Sequence, residues 1–354
     1  MKSNLKFFKN SKFLPVDIFF ENVLYNSNFG YYATKQPLGK DGDFITSPKV
    51  SNLFSEMIAI WVISTWEKLG KPKKFNFVEL GPGDGSLTKT LLKTFKKFPE
   101  FNSIVKIYLY EKSSFLTKIQ KYNISDQKVE WIKNFNCIKN GPVVFFGNEF
   151  FDAIPIKQFK KVNGLILEKN YTLNDKFKIK EIFKKISNSN YKLLKSYTSI
   201  KELSFIEFPK LGFEELEKIM LKISKLEGCI LLIDYGYLKP QNKNTLQSVI
   251  KHKKNKLFDN LGKADVTSHV NFRLLKEFFK KNNLKTKNVV TQQMFLEKNG
   301  ILQRAELLSK KMKFRDQSKL YLRLKRLLDP KQMGNLFKVI LAYNFKKDNL
   351  NGFN

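Results

Sequence analysis

Cysteine is nearly absent from this 354-residue chain: Cys137 and Cys229 are the two, far apart and with no histidine beside them. That excludes a disulfide framework and a structural zinc site, and it fits a reducing compartment. Histidine is equally scarce, His252 and His269 being the two, so no metal site is expected. Arginine occurs five times, at 273, 304, 315, 323 and 326. Acid is also short: 32 Asp and Glu stand against 65 Lys and Arg, a formal net charge of +33. No apolar run approaches the ~20 residues that cross a bilayer. The first residues hold Lys and Phe but no long apolar core and no small-residue cleavage site, so no signal peptide is expected.

The positive charge raises the possibility of a nucleic-acid partner. It is almost all lysine, spread along the chain, in company with abundant Asn, Ile and Phe. That is the bias of an AT-rich coding sequence, whereas phosphate recognition tends to draw on arginine as well. Weak, salt-sensitive adhesion to polyanions is expected in either case. The hydrophobic content of 42% is ordinary, and the length can bury one elaborated domain or two.

What is present is a nucleotide-binding platform. The stretch FNFVELGPGDGSLTKTLL at 75–92 reads as a short apolar strand, a glycine turn and a helix with Leu87, Leu91 and Leu92 on one face. Gly81, Gly83 and Gly85 let the chain turn sharply and leave room for a ligand against the backbone. A dinucleotide fingerprint wants G-x-G-x-x-G with a pyrophosphate on the helix N-terminus. Here the spacing is G-x-G-x-G, with Glu79 before the loop and Asp84 inside it. Two carboxylates repel a pyrophosphate and suit the ammonium and sulfonium of S-adenosylmethionine. The β-rich run at 105–111 ends in Glu111, placed to accept both ribose hydroxyls of an adenosine.

Further along, strands are expected at 128–132, 141–147, 156–159, 228–234, near Val289 and Val290, and at 336–343. Helices are expected at 49–68, 113–121, 212–227, 271–282, 299–312 and 316–328. Residues 1–35 read as a helical lead-in. The polar loop at 39–48, with Asp43 and Thr46, is a lid or a connector, and Ser47-Pro48 starts the next helix. The organisation expected is an N-terminal helical and lid segment over 1–70 and an α/β domain over 71–354. Its insertions lie at about 160–215, strand-rich, and 238–270, a long functional loop. Alternating strands and helices with a closing strand point to the α/β class I methyltransferase (Rossmann-like) sheet.

The acceptor is indicated by the loop after the fourth strand, Asn148-Glu149-x-x-Asp152. Amino-methylating nucleic-acid enzymes carry Asn/Asp-Pro-Pro-aromatic there, and cytosine C5 enzymes need Pro-Cys; neither occurs. Two carboxylates suit a guanidinium, held by charge-assisted and bidentate hydrogen bonds. That favours a protein arginine. His269 is a candidate base or orienting group, with Asp265 able to serve either histidine.

These pieces resemble a known family. Gly30-Tyr31-Tyr32, Gly42-Asp-Phe-Ile-Thr-Ser-Pro48, Glu56, the 79–85 loop, Asn148-Glu-Phe-Phe-Asp-Ala-Ile-Pro155, Ile233-Asp-Tyr-Gly236, His252, Ala264-Asp-Val-Thr-Ser-His269 and Met333-Gly-x-Leu-Phe-Lys338 are similar, in order, to the MidA-type class I methyltransferases. Mitochondrial relatives are assembly factors for respiratory complex I. The resemblance implies S-adenosylmethionine binding and, for those relatives, symmetric dimethylation of an arginine on a complex I subunit. Lys49 and Ser55 depart from the family's usual Glu and Gly, and neither is expected to touch the cofactor loop. The alternatives are an RNA methyltransferase, motivated by the +33 charge, and a non-catalytic assembly chaperone that keeps the fold and holds a partner with its insertions. With no transit peptide visible, a bacterial cytoplasm is the expected compartment.

Overall fold

The computed structural model describes residues 4–35, 46–346 and 349–353. Its centre is an open sheet. Strands β1 (Phe75–Leu80), β2 (Val105–Tyr110), β3 (Val129–Ile132), β4 (Val143–Asn148) and β5 (Gly228–Tyr237) run parallel in the order β3-β2-β1-β4-β5. Strand β6 (Phe337–Tyr343) closes it antiparallel to β5, and the short pieces Lys285–Thr286 and Val290–Thr291 pair along its outer edge.

Every residue of β1 is buried. Both sheet faces are covered, which is why the strands read as continuous apolar runs rather than alternating ones. Helix α1 (Val16–Tyr25) lies in an outer layer. Helices α2 (Asn52–Lys68) and α3 (Ser86–Phe95) cover one face, where Trp61, Phe77, Leu91 and Phe146 share a core. Helix α4 (Ser114–Asn123) follows β2. Helices α5 (Lys210–Leu226) and α6 (Phe272–Lys281) cover the opposite face with Val78, Phe145, Leu216 and Phe278.

The helix expected over 49–68 is broken at Ser51, whose hydroxyl accepts from the Leu53 N–H and caps α2 after a separate turn, Ser47–Val50. The strand-rich insertion is a five-stranded antiparallel sheet containing Lys157–Val162, Leu165–Leu173, Ile179–Lys185 and Phe205–Phe208. Its fifth strand, Phe13–Pro15, comes from the lead-in read as wholly helical. Phe8, Phe19, Phe20 and Tyr171 pack α1 onto this sheet. The 238–270 segment is also not a plain loop. Gln247–Ile250, Lys253–Asn255 and Asp265–Thr267 form a small sheet. These strands are three or four residues long and rich in polar residues, so no periodicity betrays them.

The chain runs from β1 outward to β3, then returns to lay β4 on the other side of β1. In an open sheet, ligands bind outside the carboxyl ends at this switch point. The expected site loops, at 81–85 and 148–152, leave the sheet there.

Candidate active site

Gly81, Gly83 and Gly85 take φ of 61°, 57° and 83°, the left-handed region that side chains resist. At Gly85 a Cβ would also stand 2.6 Å from Ile124 Cδ1. The turn therefore needs glycine and leaves α3 with its first turn facing a cleft. That cleft, about 250 Å³, is lined by the 81–84 loop, Glu79, Glu111, Asn148, Glu149, Asp152 and Thr46, among others. Asp43 lies outside the described residues.

Glu79 is buried and accepts a hydrogen bond from the Thr88 hydroxyl. Burial, with Asp84 nearby, pushes its carboxyl up to about 7. Asp84 accepts from the Ser86 N–H at 3.1 Å and the Ser86 hydroxyl at 2.6 Å. Its other oxygen pairs with Lys49. Lys49 therefore does touch the glycine loop, contrary to expectation, because the turn at Ser47–Val50 folds back over α3. Removing this cation leaves Asp84 without its ion partner. Urea unfolding of Lys49→Met, Asp84→Asn and the double variant is expected to give a coupling of roughly 1–2 kcal/mol; strictly additive losses would show no coupling.

Glu111 accepts from the Ser113 N–H at 2.7 Å and from Gln120 Nε2 at 3.0 Å. Gln120 also donates to the Gly83 carbonyl at 2.8 Å and accepts from Trp131 Nε1 at 3.0 Å. Sequence reasoning missed Gln120, which reads as one more polar residue on an amphipathic helix. It joins the strand-end acid to the glycine loop.

The loop after β4 is held from β5. Asp234 Oδ2 accepts the N–H groups of Phe151 at 2.9 Å and Asp152 at 3.1 Å, and Oδ1 accepts from Tyr235 N–H at 2.9 Å. Asp234 was legible as the end of an apolar strand but not as the organiser of this turn. Glu149 takes φ 52°, strained for a residue with a side chain. Its N–H donates to Ile233 at 2.9 Å, and its carboxylate accepts from Ser47 N–H at 3.2 Å and Asn148 Nδ2 at 3.0 Å. Burial and the Asp152 charge push the Glu149 carboxyl up to about 8. Burial holds Asp152 at about 6, with the Tyr235 hydroxyl beside it favouring the charged form. Asp152 Oδ1 is buried and has no aligned hydrogen-bond partner, nor does Asn148 Oδ1.

The structure brings Glu149 and Asp152 together but does not bring His269 to them. The imidazole lines a separate small cavity with Glu207 and Asn271, packing edge-on against Tyr235 with centroids 5.4 Å apart. Burial and Lys243 lower its pKa. Asp265 faces the cleft and accepts from the Tyr32 hydroxyl at 2.9 Å. Tyr32 stacks on Tyr25, 5.3 Å between centroids, and the Tyr25 hydroxyl donates to the Ala153 carbonyl at 2.9 Å. The N-terminal layer thus supplies a wall of the cleft, along with Glu21. The Gly30-Tyr31-Tyr32 motif was the signal for it, without a role attached.

The sequence profile of the Methyltransf_28 family of S-adenosyl-L-methionine-dependent methyltransferases matches residues 57–290. The chain belongs to this family. Its cofactor is accordingly S-adenosylmethionine, and the donor set fits: carboxylates at Glu79 and Glu111 for a cationic head and a ribose, with glycines between them. The chain is similar to the mitochondrial protein arginine methyltransferase NDUFAF7 of Xenopus laevis, 29% identical over 92% of this chain and 80% of the relative. The human protein of the same name is 27% identical, with 92% and 78% covered. A COG1565 superfamily member from Burkholderia thailandensis, crystallised bound to S-adenosyl-homocysteine, shares the fold: TM-score 0.82 at 21% identity, with 99% of this chain and 91% of that one covered. The expected class I methyltransferase fold is therefore the observed one. No helix among the described residues is long and apolar enough to cross a membrane.

Proposed function

We propose that the chain methylates an arginine side chain of a protein. The observation that carries this is the charge of the cleft. Eight of the described residues lining it are Asp or Glu, against one cation, Lys112, in a chain whose net charge is +33. A phosphate-rich acceptor meets repulsion there, whereas a guanidinium meets acceptors on every side. This disfavours the RNA methyltransferase reading. The names of the curated relatives add arginine as the acceptor. A respiratory complex I subunit or a similar protein, and symmetric dimethylation, complete the reading. The non-catalytic chaperone reading leaves the buried Asp152, beside Glu149 on the cleft, without a reason.

The cofactor supplies an electrophilic methyl on its sulfonium. Glu79 and the glycine loop receive its charged head, Thr46 borders the same space, and Glu111 takes the ribose. Asp152 and Glu149 would hold the guanidinium and orient one of its nitrogens for transfer. As that nitrogen is alkylated its proton passes to the carboxylate pair, whose raised affinities suit proton uptake near neutrality. His269, away from the cleft, has no part in this. Asp43 remains a proposed cofactor contact outside the described residues. A reducing compartment is part of this reading, with both cysteines free. The test is methyl transfer from labelled cofactor to an arginine-containing protein, with methylated arginine read after acid hydrolysis. Label that enters RNA, or residues other than arginine, would sink the reading.

The pH dependence has a definite sign. An ionised Glu79 binds the cationic head of the cofactor better; its carboxyl is held at about 7, and those of Glu149 and Asp152 at about 8 and 6. Cofactor affinity is expected to rise across about pH 6 to 8, with net proton release near pH 7, seen by calorimetry in buffers of different ionisation heat. In the free protein these groups bind protons more tightly folded than unfolded. That stabilisation is complete below their ordinary values of 3.8 and 4.5 and is lost as pH rises through 6 to 8. Flat affinity across the window would remove the linkage.

A further inference from the structure

Helix α7 (Phe314–Leu328) packs through Leu320, Leu324, Leu327 and Leu328. Its outer side is not a plain solvated face. Phe314 is 84% exposed, Leu322 68% and Tyr321 46%. At 3.6 residues per turn these three, at i, i+7 and i+8, form one stripe. Arg315, Lys319 and Arg326 form a second stripe about 100° further round. Within the helix, five cations stand against a single acid, Asp316.

The cation type matters as much as the number. Lysine is this chain's default, yet three of its five arginines lie in these fifteen residues. Arginine's planar fork binds phosphate oxygens in a way the lysine ammonium does not. The preceding helix, Ile301–Ser309, is fixed to α7 by Gln317 Nε2 on the Ser309 carbonyl at 3.0 Å, and it exposes Leu307 at 59%. Lys310, Lys311 and Lys313 join the two.

We propose that α7 docks the protein on an anionic lipid surface. The Phe314, Tyr321 and Leu322 stripe enters the boundary between headgroups and acyl chains while Arg315, Lys319 and Arg326 meet lipid phosphates. The alternatives fit less well. A second copy related by a two-fold axis would set one basic helix against its twin. Single-stranded nucleic acid would call for stacking aromatics where Leu322 stands. Phe314 and Leu322 present most of their surface outward, beside a Tyr321 whose hydroxyl donates to the Ser309 hydroxyl, and a fluid interface accepts such side chains without a preformed pocket. The docking is independent of the methyl acceptor.

The test is sedimentation of the full chain with phosphatidylcholine vesicles, with and without phosphatidylglycerol. Binding is expected with phosphatidylglycerol alone. The double variant Phe314→Ser/Leu322→Ser is expected to lose at least about tenfold in partitioning, its melting temperature unchanged, since both side chains are exposed. Tyr122→Ser, at a position 90% exposed on α4, should bind as the parent does. Equal binding by parent and double variant would reduce the interaction to adhesion by dispersed lysines and overturn the proposal. So would a lipid-free dimer of the parent that the double variant breaks, which would assign the face to a second copy.

Discussion

Asp152→Ala is expected to bind S-adenosyl-homocysteine as the parent does and to lose roughly 10²- to 10⁴-fold in methyl transfer. The local backbone does not depend on this side chain. The Asp152 N–H is held by Asp234, and its carbonyl accepts from the Ser268 N–H at 3.0 Å. Truncation therefore removes the carboxylate from the cleft and leaves the turn in place. It also relieves Glu149 of the charge that helps raise its pKa. Residual activity should accordingly persist to lower pH than the parent's. Calorimetry with the product cofactor and single-turnover transfer to a protein substrate separate the two functions. Full turnover would remove Asp152 from the acceptor site. Lost cofactor binding would show that the side chain holds the cofactor instead.

Glu111→Ala should fail at the earlier step. Its carboxylate is buried, already carries the Ser113 and Gln120 hydrogen bonds, and lines the cleft at the end of β2. Two charged hydrogen bonds to the ribose are worth about 3–6 kcal/mol together, so cofactor dissociation constants should rise at least about a hundredfold. The variant also cuts the tie through Gln120 to the glycine loop. Gln120→Leu isolates that tie: it leaves Glu111 present and is expected to weaken binding by a smaller factor. Calorimetry on both variants gives the comparison. Unchanged affinity in Glu111→Ala would put the ribose elsewhere, and equal losses in the two would make Glu111 a loop support rather than a ligand contact.

Much of this site was legible as sequence because its parts are local. A buried parallel strand is a continuous apolar run, a left-handed turn needs glycine, and a helix repeats its leucines at three and four residues. Those constraints act within about ten residues, so the run at 75–92, the acid ending β2 and the carboxylates after β4 could be read directly. The short strands at 247–267 could not, since QSVI, KKN and DVT have no period long enough to register.

What the tertiary structure alone decided is which distant side chains meet and how they ionise. Asp234 lies 82 residues from the Asp152 amide it holds, and Asp265 lies 233 from the tyrosine that donates to it. Lys49 reaches Asp84 because a turn folds back, and His269 misses the cleft because Tyr235 packs against it. No spacing rule links positions so far apart, and a carboxyl's affinity for its proton follows from burial and neighbours, which exist after folding. The sequence by itself determined the platform and the cofactor class. The acidic cleft, with the raised carboxyls of Glu79, Glu149 and Asp152 in a chain of +33, is a property of the packed molecule.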